Sequence, residues 1–323
     1  MRISVAVCTY NGEKYIREQL QSILDQTMPV NEIIVCDDNS SDGTKGIIDS
    51  FLKSESTIQN TEVHLYRNNY NLGVTKNFEQ ALSYCTGDVI FLSDQDDIWT
   101  REKVEKCVNV FLRNQKCLML FSNALLIDSQ GKSLNQNLWD RVSVPRKADY
   151  KVTDFVGTRF VTGATAAIRR ELLCKTLPIP DCWIHDAWLA MNASLYGELE
   201  AIDDNLIMYR QHEANVIGAS KRSLIEQIRH TKKNIGKSME FRNTMMNRFS
   251  SFMERNAADL NQAEKEVINE CIGFWRDSSK LQKESCFLGI RTIIENLTRG
   301  KYKKFNHGIY GAMVDVFIIF SRS

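Results

Sequence analysis

Asp94-Gln95-Asp96-Asp97 stands directly behind the apolar run Val89-Ile90-Phe91-Leu92 and Ser93. Two carboxylates one residue apart at a strand end can face the same hard cation. Mg²⁺ or Mn²⁺ takes such oxygen ligands and keeps positions for phosphate oxygens. The same residues also read as a solvated acidic turn capping the next helix, because Asp97 precedes Ile98-Trp99. Three acids behind four apolar residues favour the cation. Two further polar clusters share this pattern, Thr9-Tyr10-Asn11-Gly12 and Asp37-Asp38-Asn39-Ser40-Ser41-Asp42-Gly43, each following a β-rich run. Gly43 and Gly73 lie in loops, but neither belongs to a G-x-G-x-x-G or Walker A pattern. That counts against a dinucleotide dehydrogenase and a P-loop nucleotidase. A diphosphate bound here would need a cation to offset its charge.

For these clusters to act together, the strands before them must end side by side. The first 100 residues alternate strand and helix. Ile3–Cys8, Glu32–Cys36, Val63–Tyr66 and Asp88–Leu92 are strand-like. Ile16/Leu20/Ile23/Leu24, Thr44/Ile47/Ile48/Phe51/Leu52 and Val74/Phe78/Ala81/Leu82/Cys85 each line one helical face. The order βαβαβαβ implies an α/β fold with a mainly parallel sheet flanked by helices. Ligands bind such sheets at the carboxyl ends of the strands. A helix over Val104–Leu112, a strand at Leu118–Ser122, an irregular stretch through Arg146, Phe160–Ile168, a buried helix over Ala187–Tyr196 and a strand at Ile207–Arg210 follow. Beyond Gly218 the sequence reads as helical and basic, so the expected units are 1–218 and a C-terminal helical extension, 219–323.

The 323 residues carry 41 basic and 40 acidic side chains, a net charge of +1. This is a cancellation between residues 1–218, with 22 basic and 29 acidic side chains, and residues 219–323, with 19 and 11. No uniformly basic surface exists, so a nucleic-acid partner is not expected. Nine cysteines without a C-x-x-C read as packed, reduced thiols. The N-terminal run is too short for a signal peptide, and no stretch reaches the roughly 20 apolar residues of a membrane span. The expected location is the cytoplasm.

Val5-Ala6-Val7-Cys8-Thr9-Tyr10-Asn11, Val35-Cys36-Asp37-Asp38-Asn39-Ser40-Ser41-Asp42-Gly43-Thr44, Asn71-Leu72-Gly73 and the acidic triplet together resemble glycosyltransferase family 2 over residues 3 to about 218. The resemblance implies a GT-A fold (Rossmann-like), a nucleotide-sugar donor, a divalent cation and inversion at the anomeric carbon. It implies that Thr9, Tyr10, Asn11 and Glu13 line the nucleoside pocket and that Asp38 binds the base or ribose. Lys76 stands where many members carry an arginine near the phosphates. Asp94 and Asp96 take the place of the metal-binding acids, Asp94 also contacting the donor. Trp183-Ile184-His185-Asp186-Ala187-Trp188, Tyr209-Arg210-Gln211-His212, Asn215 and Gly218 are similar to a narrower subset, the bacterial rhamnosyltransferases of surface polysaccharides. In that likeness Asp186 is the catalytic base and His212 a further metal ligand, while His185 replaces a common acid. Burial beside Trp183 and Trp188 would strengthen Asp186 as a base. A Gln-x-x-Arg-Trp motif of processive synthases is absent, which favours single additions. The implied donor is dTDP-rhamnose, with a UDP-hexose as alternative. The implied acceptor is a glycan or lipid-linked glycan.

A catalytically silent nucleotide-binding scaffold and a nucleotidyltransferase compete with this reading. The former has no use for Asp186 beside an acidic triplet, and the latter needs a glycine- and arginine-rich N-terminal loop. In the extension, Lys232-Lys233 and Gly300-Lys301-Tyr302-Lys303-Lys304-Phe305 precede an apolar run, Ile309–Phe320, broken by Asp315. That run suits a helix lying in the inner membrane leaflet surface, or a helix packed on protein or on another subunit of a homo-oligomer.

Overall fold

A computed structural model describes residues 1–53, 61–157, 160–212 and 235–321. Asn215, Gly218, Lys232, Lys233 and the expected boundary lie outside these residues. The chain divides into two compact units, Met1–Tyr150 with Phe160–Ala219, and Lys151–Arg159 with Ser220–Ser323.

In the first unit β1 (Ile3–Thr9), β2 (Glu32–Asp37), β3 (Glu62–Arg67) and β4 (Val89–Ser93) alternate with α1 (Ile16–Leu24), α2 (Thr44–Leu52) and α3 (Val74–Tyr84). Every residue of β1, β2 and β4 is buried, as continuous apolar strands covered on both faces must be. They pair in parallel in the order β3-β2-β1-β4. The sheet then continues through β8 (Ala166–Arg169), β6 (Cys117–Ile127), β9 (Glu198–Arg210) and β5 (Ile98–Trp99), with β7 (Ser133–Asn137) beside β6. β8 runs antiparallel to β4 and β6, whereas β6 and β9 are parallel along their whole length. The helices α4 (Lys103–Arg113), α5 (Leu138–Val142), α6 (Leu173–Thr176) and α7 (His185–Tyr196) complete this unit.

The structure refines the expected course of the chain here. Ile98-Trp99 does not open a helix but forms β5, paired with Met208 and Ile207 of β9, so Asp97 caps nothing. The stretch Phe160–Ile168, given no element type from sequence, enters the sheet only from Ala166, in β8, after a 3₁₀ turn at Gly163–Thr165. The stretch before Arg146 contains β7 and α5, which lack the alternating or helical apolar pattern that would announce them. All nine cysteines are free thiols. Burial pushes the Cys36 and Cys107 thiols up to about 12, leaving them protonated.

The second unit contains α8 (Ile235–Asn256), α9 (Gln262–Lys280), α10 (Cys286–Thr298), α11 (Lys301–Phe305) and α12 (Ile309–Phe320). Asn261 and Glu264 form a reciprocal capping box at the start of α9, satisfying two otherwise unpaired amides. Residues 151–159, which interrupt the first unit in sequence, belong to this helical unit. The Cys271 thiol donates to the Val156 carbonyl at 3.5 Å. The backbone at Gly157 lies so close to Lys304 that a Cβ would meet its carbonyl oxygen at 2.1 Å. No helix among the described residues is long and apolar enough to cross a membrane.

Candidate active site

Parallel registration brings the clusters together. Thr9 lies beside Asp37 and Val7 beside Ser93, so the polar ends of β1, β2 and β4 emerge at the same edge. Gln95 ties two of them. Its Oε1 accepts from Thr9 Oγ1 and from the Tyr10 amide, both at 2.7 Å, and its Nε2 donates to the Tyr10 carbonyl at 3.1 Å. Gly12 makes room for it, since a Cβ there would sit 2.4 Å from Gln95 Oε1. Asn11 and Asn39 adopt left-handed backbone, φ 51° and 63°, a region asparagine tolerates better than most residues. Asn11 Oδ1 accepts from the Ser41 amide at 2.8 Å, and Glu13 Oε2 from the Gly43 amide at 2.7 Å. Thr9, Tyr10, Asn11 and Glu13 thus form one braced loop, with the Tyr10 ring about half exposed.

Asp38 is buried, and its carboxylate is heavily engaged. It accepts from the amides of Leu72 (2.7 Å) and Gly73 (2.9 Å) and from Asn68 Nδ2 (2.9 Å). Gly73 has φ 81°, which a side chain would strain. Asp38 therefore holds the Asn71-Leu72-Gly73 turn in addition to any ligand contact. Lys76 Nζ donates to the Ile179 carbonyl at 2.7 Å and pairs with Glu79 and Asp181 at 3.1 Å. It is committed to the loop before α7.

The acidic triplet meets the end of β9. Arg210, nearly fully buried, donates from its backbone to Asp97 Oδ1 at 3.0 Å and from Nε to the Asp96 carbonyl at 2.7 Å. Its guanidinium also pairs with Glu18 at 2.7 Å and lies 4.6 Å above the Tyr15 ring. Two residues on, His212 Nε2 lies 2.9 Å from Asp96 Oδ2, and its ring stacks on Tyr15 at 5.3 Å. From the other side, the Gln19 amide accepts from Ser93 Oγ (2.7 Å) and Trp99 Nε1 (3.0 Å) and donates to the Asp97 carbonyl.

Asp186 sits in the first turn of α7, where the helix dipole favours a carboxylate. Oδ1 accepts from the Ala187 amide at 2.6 Å and Oδ2 from the Gly163 amide at 3.2 Å. Its charge reaches the triplet. Burial first, then the charges of Asp96 and Asp186, raise the Asp94 carboxyl to about 7. Asp97 is raised well above the usual range by burial and by Asp96 and Asp94, and its Oδ2 has no hydrogen-bond partner. His185 is buried against Phe78, ring centroids 4.0 Å apart, with neither ring nitrogen hydrogen-bonded. Burial lowers its pKa, so it is neutral.

Lys103 is a second buried cation acting on this acid cluster, beside Arg210, and was not expected. Its ammonium donates to the Ala164 carbonyl at 2.8 Å and lies 4.3 Å over the Trp99 ring. Burial lowers it to about 8, against the pull of Asp97 and Asp94. The signal in the sequence was its place on the apolar stripe Lys103/Cys107/Phe111, at i, i+4 and i+8.

The donor set suits a hard or borderline cation. Carboxylates crowded enough to raise one another's pKa, with an imidazole at 2.9 Å, gain from added positive charge. Asp96 and His212 are already paired, and Asp94 stands behind them. Among the described residues, three ligand atoms within 4.8 Å of one another occur instead at Glu32, Glu62 and His64. There Arg2 already neutralises Glu62 at 2.7 Å, and Glu32 accepts from Thr86.

A half-Rossmann sheet extended by an antiparallel strand, with carboxylates at its carboxyl edge, defines a GT-A-type transferase domain. The structure of TarS residues 1–349 from S. aureus in complex with UDP has this fold, with a TM-score of 0.59 at 14% identity over 100% of this chain and 90% of that one. Residues 4–177 match Glycosyl transferase family 2, and the chain belongs to that family. Among curated relatives, the dTDP-rhamnosyl transferase RfbG of Shigella flexneri is 31% identical over 66% of this chain and 74% of that protein. The Escherichia coli protein WfgD, a UDP-Glc:alpha-D-GlcNAc-diphosphoundecaprenol beta-1,3-glucosyltransferase, is 32% identical over 46% of this chain and 53% of its own length.

Proposed function

We propose that the protein is an inverting, metal-dependent, non-processive glycosyltransferase of bacterial surface-polysaccharide synthesis. Its donor is dTDP-rhamnose, and its acceptor is a hydroxyl of a glycan or lipid-linked glycan. The observation that carries the reading is that Asp186, ninety-two positions from Asp94 in sequence, accepts from the Gly163 amide at 3.2 Å, while the adjoining Ala164 carbonyl accepts at 2.8 Å from Lys103, the buried cation whose charge acts on Asp94 and Asp97. A base and a cation-binding acidic centre in one site are what displacement of a nucleoside diphosphate at an anomeric carbon requires.

In this mechanism an Asp186 oxygen takes the proton of the acceptor hydroxyl. The two amides that hold its carboxylate fix its orientation. The acceptor oxygen bonds to the anomeric carbon as the bond from that carbon to the nucleoside diphosphate breaks, with oxocarbenium character between, as in glycoside hydrolysis. Because attack and departure lie on opposite faces, configuration inverts. Thr9, Tyr10, Asn11 and Glu13 receive the nucleoside, with Asp38 shaping the neighbouring turn. Asp96, His212 and Asp94 would hold Mg²⁺ or Mn²⁺, which supplies neutralisation of the leaving diphosphate.

RfbG, which carries the dTDP-rhamnosyl name, supports the rhamnose donor. The WfgD name favours the second reading, a UDP-hexose donor with a lipid diphosphate-linked acceptor, and an acceptor of that kind would bring the protein to the cytoplasmic leaflet. A thermal-shift panel of dTDP-rhamnose, UDP-glucose, UDP-GlcNAc and GDP-mannose with Mn²⁺ separates the two. Ligand at about 100 times its Kd contributes about 2.7 kcal/mol. Stabilisation by dTDP-rhamnose alone supports the first donor, and stabilisation by UDP-sugars alone replaces it. Stabilisation by none of the four sinks both.

A further inference from the structure

The last helix is built inside out. Asp315 is the only charged residue of α12, and it is completely buried. Its carboxylate accepts from Arg242, from Ser278 Oγ at 3.0 Å and from the Tyr302 hydroxyl at 2.7 Å. The opposite face carries Ile309, Tyr310, Met313, Val316 and Phe320, all exposed, with Ile309 at 64% and Phe320 at 65%. A helix bordering water normally turns its charges outward.

The neighbouring helix extends the apolar face. Gly289 of α10 meets Ile319 of α12 so closely that a Cβ would lie 2.7 Å from Ile319 Cδ1. The start of α10 therefore lies against the end of α12. Phe287, 80% exposed, stands two residues before that contact and Phe320 one residue after it. Ile294, 54% exposed, lies two turns beyond Phe287 on α10. At the other end of α12 the chain arrives through Arg299, Lys301 and Lys303. None of these three makes an ion pair within 4 Å of a described residue, although Arg299 and Lys301 both attract the exposed Glu295 carboxylate, whereas Lys304 pairs with Glu270 at 2.6 Å.

We infer that the α10–α12 face docks on an anionic lipid surface. A helix of twelve residues is about 18 Å long, well short of a hydrocarbon core of about 30 Å. Lying flat, it buries its apolar face at the headgroup boundary. The cationic approach segment at one end of that face supplies the charge complement. An apolar face alone would suit a second copy of the chain equally, and the excess of basic over acidic side chains in the Arg299–Lys304 approach segment selects the lipid. This inference does not depend on the proposed reaction, because its readout is binding.

The test is sedimentation of the full chain with vesicles of phosphatidylcholine containing 30% phosphatidylglycerol, against phosphatidylcholine alone, at low and high salt. Binding to the anionic vesicles is expected, with at least a tenfold loss at high salt or in Arg299→Glu/Lys303→Glu, since each basic residue near such a surface contributes about fivefold. Met313→Glu/Val316→Glu, both on the exposed face, should also lose at least tenfold while the melting temperature and circular dichroism stay unchanged. No sedimentation at low salt overturns the inference, as does binding that the Met313→Glu/Val316→Glu pair leaves intact. Self-association abolished by that pair without vesicle binding makes the face an interface between copies instead. Transfer to a soluble acceptor, measured beside these, reports separately on the reaction.

Discussion

At the scale of single residues, the site depends on one carboxylate held by two amides and on a group of carboxylates that repel each other. Asp186→Asn keeps the acceptors' shape and removes the base. Transfer should fall by roughly 10²–10⁴-fold while nucleotide binding, measured by calorimetry, stays within about twofold. Wild-type turnover in that variant would sink the assignment. Asp96→Ala removes the partner of His212 and should weaken the response to Mn²⁺ by at least tenfold. Unchanged cation dependence of activity would argue against a metal role. The Asp94 pKa has a consequence for stability. Its folded-state value, about 7, lies above that of an ordinary carboxylate. Its favourable contribution is therefore fully present below the unfolded pKa of about 4 and is lost as pH rises through about 7. A cation replaces the missing proton, so the shift in melting temperature on adding Mn²⁺ should be larger at pH 8 than at pH 5.5. An equal shift at both values would contradict the crowding seen here.

At the scale of elements, loops that look like ligand contacts also serve as braces. Asp38 is the clearest example, because its carboxylate closes the turn ending at Gly73 before any nucleotide arrives. Asp38→Asn keeps one acceptor oxygen and places an NH₂ against the Leu72 or Gly73 amide. A buried polar group left unsatisfied costs about 1–3 kcal/mol, so chemical denaturation should show a loss of that size together with weaker nucleotide binding. A loss of binding with no change in stability would return Asp38 to a purely ligand-facing role. β5 teaches a related lesson about Asp97. A two-residue strand on β9 carries the triplet against Arg210, so that the ends of β4 and β9 are joined by Asp96, Asp97 and His212.

For the molecule as a whole, the near-zero net charge hides an acidic sheet unit and a basic helical unit. Each has its own buried ionic centre, Lys103 among acids in the first and Arg242 with Asp315 in the second. Removing one member of a buried pair leaves the other uncompensated, at about 3–5 kcal/mol. Asp315→Ala should therefore lower the unfolding free energy by that amount. Arg242→Met/Asp315→Leu should recover most of it. A double variant no better than the single would show that the hydrogen bonds to Ser278 and Tyr302, not the charge pair, dominate.

The sequence by itself determined the first four strands and three helices, because their apolar periods are unambiguous, and it named the acids, Asp186 and His212 through motif. It did not reveal β7 or α5, whose residues follow neither period, nor the membership of residues 151–159 in the helical unit. The apolar run at the end was legible as a helix, but not that Asp315, which interrupts the run, is its buried centre. Lys103 was overlooked because a lysine at the start of an amphipathic helix usually reaches solvent. Only the tertiary structure decides such cases. Whether a charge lies inside or outside depends on partners far away in sequence, Ala164 for Lys103, and Arg242, Ser278 and Tyr302 for Asp315. Local periodicity carries no information about contacts across such distances.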